Sequence, residues 1–214
     1  MKSFIKENGH LIWRLILNQI GMTVFGLMMS MTGSAIDYAL GEGDGAVSRT
    51  WNFWASVFSV VFYMFINYWA IKEEGQKDKI RTDAGRRERR VYKGVLIALC
   101  ATSLNILLAI IMNICEPLAS TSGLGIEIAG NIYVIAKWIA ILIQGMYWGI
   151  LLVASGASSI IAVPSWMFFF TPVLTLIVAH IAYVLGLRDF SLLRKIKNLF
   201  TPEEADADTK GAKK

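Results

Sequence analysis

The sequence predicts an all-α, polytopic helical membrane protein with four to five transmembrane helices and a short amphipathic helix after the last. Three observations predict this. Hydrophobic residues make up 55% of the 214 and charged residues 17%, where an average soluble domain carries about 25% charged residues; mean hydropathy is +0.52. The apolar residues fall into five runs, each close to the roughly 20 residues that one crossing needs. The charge is clustered, with nine of the twenty-one Lys and Arg in residues 72–93, between two of those runs. Residues 1–187 therefore read as one membrane domain. The net charge of +5 fits Lys and Arg retained in cytoplasmic loops. No nucleic-acid-binding pattern accompanies it, so no nucleic acid is expected as a partner.

The first run, residues 11–31, follows a short start with Lys2 and Lys6. It is longer than the about 7–15 residues of a signal-peptide core and is interrupted by Arg14, Asn18 and Gln19, so it reads as the first transmembrane helix. Residues 32–50 read as a polar, glycine-rich loop; its Asp37, Glu42 and Asp44 lack the ligand alternation of a calcium loop. The second run, 51–71, has Trp51 and Trp54 at one end and Tyr68 and Trp69 at the other, as interfacial aromatic belts do. A basic loop, 72–93, is expected next. The third run, 94–115, carries Cys100 and Cys115, which a helix sets about 22 Å apart, beyond the reach of a disulfide.

Residues 116–130 contain no Lys or Arg. The fourth run, 132–153, holds Lys137 and Gln144, seven residues apart. As one helix it would carry them on a single stripe with Trp148 and Ser155. Residues 155–165 are a neutral connection, and Pro172 stands six residues inside the fifth run, 166–187, where a proline could kink it. Residues 188–200 read as an interfacial helix, with Leu192, Leu193, Ile196, Leu199 and Phe200 on one side and Arg194, Lys195 and Lys197 on the other. The tail, 201–214, has no apolar side chain larger than Ala and reads as disordered.

Basic residues number two at the amino start, nine in 72–93 and seven after Leu187, against one in 32–50 and none in 116–130. Short basic loops stay cytoplasmic, which puts the amino terminus and residues 72–93 inside. Five crossings would leave the basic carboxyl end outside. Four crossings, with the fourth run re-entrant or embedded, remove that conflict and shelter Lys137, whose insertion at a helix centre costs roughly 2.5–3.5 kcal/mol. Five true spans with Lys137 snorkelling to the headgroups and six spans are the alternatives.

Polar groups at membrane depth are the candidates for function. Lys137, Gln144, Asn105 and His180 are the expected intramembrane polar site, with Arg14, Asn18, Gln19 and Asn113 as further members. Each also has a structural role available: Arg14 snorkelling, amides bonding across helices for about 1 kcal/mol or less, His180 bonded to a carbonyl. Arg86, Arg87, Arg89 and Arg90, together with Arg194, Lys195 and Lys197, suit anionic lipid headgroups or a protein partner, at about 1 kcal/mol per residue near the surface, or serve only to set topology. Gly145 and Gly149 have a spacing that suits close helix packing or a homo-oligomer. No carboxylate lies inside an apolar run, no nucleophile has a matching base, and no phosphate-, dinucleotide- or zinc-binding motif occurs. No catalytic, cofactor or metal residue is expected, and the reading leans away from an enzyme. The leading expectation is a non-enzymatic accessory or scaffold subunit using its basic cytoplasmic face; the alternative is a small transporter or channel-like protein with a polar intramembrane pathway.

The segments KDKIRTDAGR and VYKG in the basic stretch, FGLMMS in the first run, and AGNIY and QGMYWG around the fourth resemble a group of uncharacterised multi-spanning membrane proteins of anaerobic, gut-type bacteria. The resemblance implies placement in a bacterial inner membrane and brings no activity, substrate or catalytic residue.

Overall fold

A computed structural model describes residues 2–40, 46–86, 88, 90–119 and 126–188. The described residues contain helices and turns and no strand. The first helix, α1 (Lys2–Leu40), continues well past the apolar run; nothing in residues 32–40 stops it, since that stretch has one Gly and no Pro. The Trp51 indole ties its far end to α2 by donating to the Met29 carbonyl at 2.7 Å.

The second helix, α2 (Ala46–Asp83), has 38 residues and is about 57 Å long at 1.5 Å per residue, nearly twice the hydrocarbon thickness. The expected basic loop is therefore helical in its first half. Two features carry the helix on. Lys77 pairs with Glu73 at 2.8 Å one turn away, and Arg81 with Asp78 at 3.1 Å, the spacings that support a helix surface. Gly75 also lets the backbone of the last helix approach closely. The helix ends where Gly85 takes a φ of 68°, and the amides of Gly85 and Arg86 fold back onto the carbonyls of Thr82 and Arg81.

The third helix, α3 (Lys93–Ala119), is a single rod with Pro117 in its final turn. The fourth run is not one helix. It forms α4 (Ile126–Ile143), a 3-10 turn Gly145–Tyr147 and α5 (Trp148–Ser155), with α4 and α5 bent by 77°. The stripe expected of Lys137, Gln144, Trp148 and Ser155 does not form, because the break falls at Gln144. The last helix, α6 (Phe170–Leu187), follows a 3-10 segment Ser165–Phe169. Pro172 stands in its first turn, where a missing N–H breaks no intrahelical bond.

Phe4, Asn8, Asp78, Lys93, Tyr183 and Leu187 border one small cavity. The start of α1, the end of α2, the start of α3 and the end of α6 thus lie together and form the charged end of the bundle. From the opposite end α4 descends until the Ile143 carbonyl meets Gln19 and Thr23, about halfway along α1. The chain then climbs back: Gly149 packs against Asn52 near the start of α2, and Ser165 lies near Tyr133. Residues 126–164 enter and leave on one side of the bundle, as a hairpin. The four long helices are long and apolar enough to cross a membrane.

The core has two parts. Leu15, Ile71, Ile97, Ala98, Ala179 and Tyr183 pack toward the charged end, and Tyr63, Met112, Ala140, Met146 and Phe168 pack around the hairpin. Large apolar side chains such as Phe58, Phe62, Phe65, Leu104, Leu107 and Ile177 stay exposed on the outside, where an apolar solvent is the surrounding that suits them.

Candidate functional site: a polar face in the bundle and an ionic cluster at its end

Along α2, Asn52, Ser56, Ser59, Tyr63 and Asn67 are spaced by four, three, four and four residues. That spacing puts them on one helix face, turned toward α5 and α6. Ser56 accepts a 2.7 Å hydrogen bond from the Gly149 amide, one of the donors freed at the start of α5. The Tyr63 hydroxyl faces Asn67 and Thr175, and Asn67 accepts a 3.0 Å bond from the Asn18 amide on α1. On α6, Thr171 donates to the Gln144 side-chain oxygen at 2.7 Å, and the Tyr147 hydroxyl donates to the Thr171 carbonyl at 3.4 Å.

The helix break is held from α1. Thr23 donates to the Ile143 carbonyl at 2.7 Å, with the Gln19 amide at 3.4 Å, so a carbonyl left over by the break keeps its partners. Glycines let the hairpin sit close: a Cβ on Gly149 would stand 1.9 Å from the Asn52 carbonyl oxygen, and one on Gly26 would stand 2.7 Å from the Met146 Cα. Two amide donors on this polar face have no hydrogen-bond partner, Asn67 Nδ2 and Gln144 Nε2, on side chains 1% and 2% exposed.

Toward the charged end an apolar layer of Leu15, Ile71, Ile97, Ala98 and Ala179 interrupts the polar face. Beyond it lies an ionic cluster. Asp78 accepts from Lys93 at 2.6 Å and from the Tyr183 hydroxyl at 2.8 Å. Lys93 also bonds Glu74 at 2.9 Å, and Arg81 closes the group from the surface. The Lys93 and Asp78 side chains are 5% and 6% exposed. Burial pushes the Asp78 carboxyl up, but the bonds from Lys93 and Tyr183, the Lys93 charge and the Arg81 bond outweigh it and hold the group below the usual carboxylate range. Gly75, Gly94 and Gly186 bring the three helices together; a Cβ on Gly94 would stand 2.5 Å from that of Tyr183. The cavity beside the cluster, about 20 Å³, has room for about one water.

The four residues expected to form one polar site lie in separate places. Lys137 donates to the Tyr133 hydroxyl at 2.6 Å and to the Val163 carbonyl at 3.0 Å, with its ammonium 5.0 Å from the Tyr133 ring centre. It clips the returning limb of the hairpin, at Val163, to α4. Gln144 is on the polar face. Asn105 is buried on the inward side of α3 with Thr102 and Ala109, and His180 stacks on Tyr92 at the charged end, ring centres 6.2 Å apart. No hydrogen bond joins any two of them. Arg14 reaches back to Glu73 at 3.9 Å with both side chains half-exposed, as snorkelling requires. Arg86 and Arg90 are exposed at the charged end. Arg87, Arg89, Arg194, Lys195 and Lys197, with the expected interfacial helix and tail, lie outside the described residues.

No family profile, curated protein or solved structure matches this chain. Among the described residues no group of three His, Cys, Asp or Glu is placed to hold a metal ion.

Proposed function

We propose that this chain is a bacterial plasma-membrane protein with its charged end in the cytoplasm, and that its bundle provides a polar path for a small solute, as a transporter or channel-like protein does. The observation that carries this reading is the inward polar face of α2 meeting a helix broken at half depth. Irregular backbone at that depth is tolerated only where protein buries it or where it lines a cavity, and discontinuous helices at the midplane are where transporters place their sites. The orientation rests on the distribution of charge. Lys6, Lys72, Lys77, Lys79, Arg81, Arg86, Arg90 and Lys93 are at one end, while the other has Asp37, Glu116 and Glu127 with a single Arg49, the asymmetry of a positive-inside protein. The test is permeability of proteoliposomes holding the purified chain, measured against protein-free vesicles with a panel of charged and uncharged small solutes. Permeation of at least one is expected; none, from monodisperse protein, would sink the reading.

A second reading is an accessory subunit that meets a protein partner or anionic headgroups through the charged end. It is favoured by the twelve-residue continuation of α2 over residues 72–83, which carries Lys77, Arg81 and their acidic partners about 18 Å beyond the apolar run. Purification from native membranes is expected to bring down a stoichiometric partner if this is the chain's role, and removing Lys77 and Arg81 should release it.

A further inference from the structure

Resting on the polar-path reading, we infer that the site at Asn67 and Gln144 takes a small, uncharged solute that accepts hydrogen bonds, of the polyol or urea type. A buried amide N–H without an acceptor is costly, the more so where no water reaches it. Gln144 Nε2 is buried with no partner, and Asn67 Nδ2, buried beside the Tyr63 hydroxyl, makes no well-formed hydrogen bond. An acceptor supplied from outside would satisfy the first and complete the second. They belong to one run of hydrogen-bonding groups: Asn67 and Thr175 flank the Tyr63 hydroxyl, Thr175 bonds the Thr171 carbonyl, and Thr171 bonds Gln144. A molecule with two or more carbonyl or hydroxyl oxygens meets donors along this run and can return its own hydrogens to the tyrosine and threonine oxygens.

Charge selects against ions. Among the described residues this polar face has no ionised side chain. Lys137 is committed to Tyr133 and Val163 on the other limb of the hairpin, and Asp78, Glu74 and Lys93 are paired with one another beyond the apolar layer. An ion entering this stretch would shed its hydration with no counter-charge, at a cost that neutral amides and hydroxyls do not offset. A neutral solute exchanges one set of hydrogen bonds for another.

The experiment compares wild type with Asn67→Leu and Gln144→Leu in proteoliposomes, by stopped-flow light scattering under gradients of glycerol, urea and potassium chloride. Asn67→Asp and Gln144→Glu are run beside them, keeping side-chain volume while replacing the donor. Glycerol or urea permeability above empty vesicles, reduced at least several-fold in each variant and without salt conductance, is the expected result. Salt conductance that falls in these variants would overturn the neutral-solute assignment and leave the polar path standing. Glycerol or urea flux unchanged in all four variants would overturn the site. Absence of flux for all three probes would remove the polar path itself, and this inference with it.

Discussion

At the scale of single residues, removing the Asp78 carboxylate would leave the Lys93 ammonium buried with Glu74 as its remaining partner. Breaking one side of a buried pair costs about 3–5 kcal/mol, whereas replacing both sides by apolar groups of similar volume is often close to neutral. Asp78→Ala is therefore expected to lower the stability of the chain in detergent by that amount, and Asp78→Leu combined with Lys93→Met to lower it less than Asp78→Ala; thermal unfolding of the three variants checks this. Tyr183→Phe removes a hydrogen bond to a charged group and is expected to cost about 1.5–3 kcal/mol. The pH dependence follows from the depressed carboxyl of Asp78. A group whose folded pKa lies below its unfolded value of about 3.9 contributes stability that is whole above that value and lost as pH falls through the folded one. The difference in melting temperature between wild type and Asp78→Asn is expected to stay flat from pH 7 to pH 5 and to shrink only in stronger acid. None of this cluster was legible as a site. Asp78 and Lys93 are fifteen residues apart in a stretch that reads as solvated loop, and only the continuation of α2 brings them together.

At the scale of elements, the hairpin is the part the sequence half discloses. Lys137 in an apolar run already argues against an ordinary span, and that argument concerns energy, which composition can convey. The position of the break is a matter of packing. Gln144 precedes Gly145 without any proline, and what bends the chain there is the fit of Gly145 and Gly149 onto α1 and α2. The polar face of α2 was present as a spacing of three and four, but serine and tyrosine inside an apolar run look like filler until the opposite helix is known. Two predictions belong here. Gly149→Ala must push backbone against backbone at Asn52 and is expected to cost at least the about 1–3 kcal/mol of an overpacked core. Gly130→Ala, with nothing within 4 Å of its Cβ, is expected to stabilise by about 0.4–1 kcal/mol; paired melting curves separate the two. Lys137→Ala frees the Val163 carbonyl, and amide exchange over residues 156–165 is expected to quicken while the four long helices keep their protection.

At the scale of the whole molecule, the ends of α1, α2, α3 and α6 are gathered at one side; on the proposed reading, in which residues 126–164 do not cross, the chain would cross an even number of times, as the distribution of Lys and Arg asks. A carboxyl-terminal fluorescent fusion is expected to glow, and a fusion to a periplasm-dependent phosphatase to stay silent; the reverse pattern would contradict the re-entrant path. The fold class was legible because bilayer thickness sets the length of the apolar runs, and four of those runs lie within helices long and apolar enough to cross. The depth at which polar groups meet was not, because it depends on which faces of separate helices are opposed. The unbroken course of α2 has one mechanical consequence. Asn67 and Asp78 are eleven residues apart on a single rod, about 16 Å, with the apolar layer between them. A stiff rod held at a narrow collar behaves as a lever, and a tilt of about 10° over that length displaces one end by about 3 Å relative to the other. A partner or lipid that grips Lys77 and Arg81 would thus shift Asn67 against Thr175 without anything crossing the seal between them.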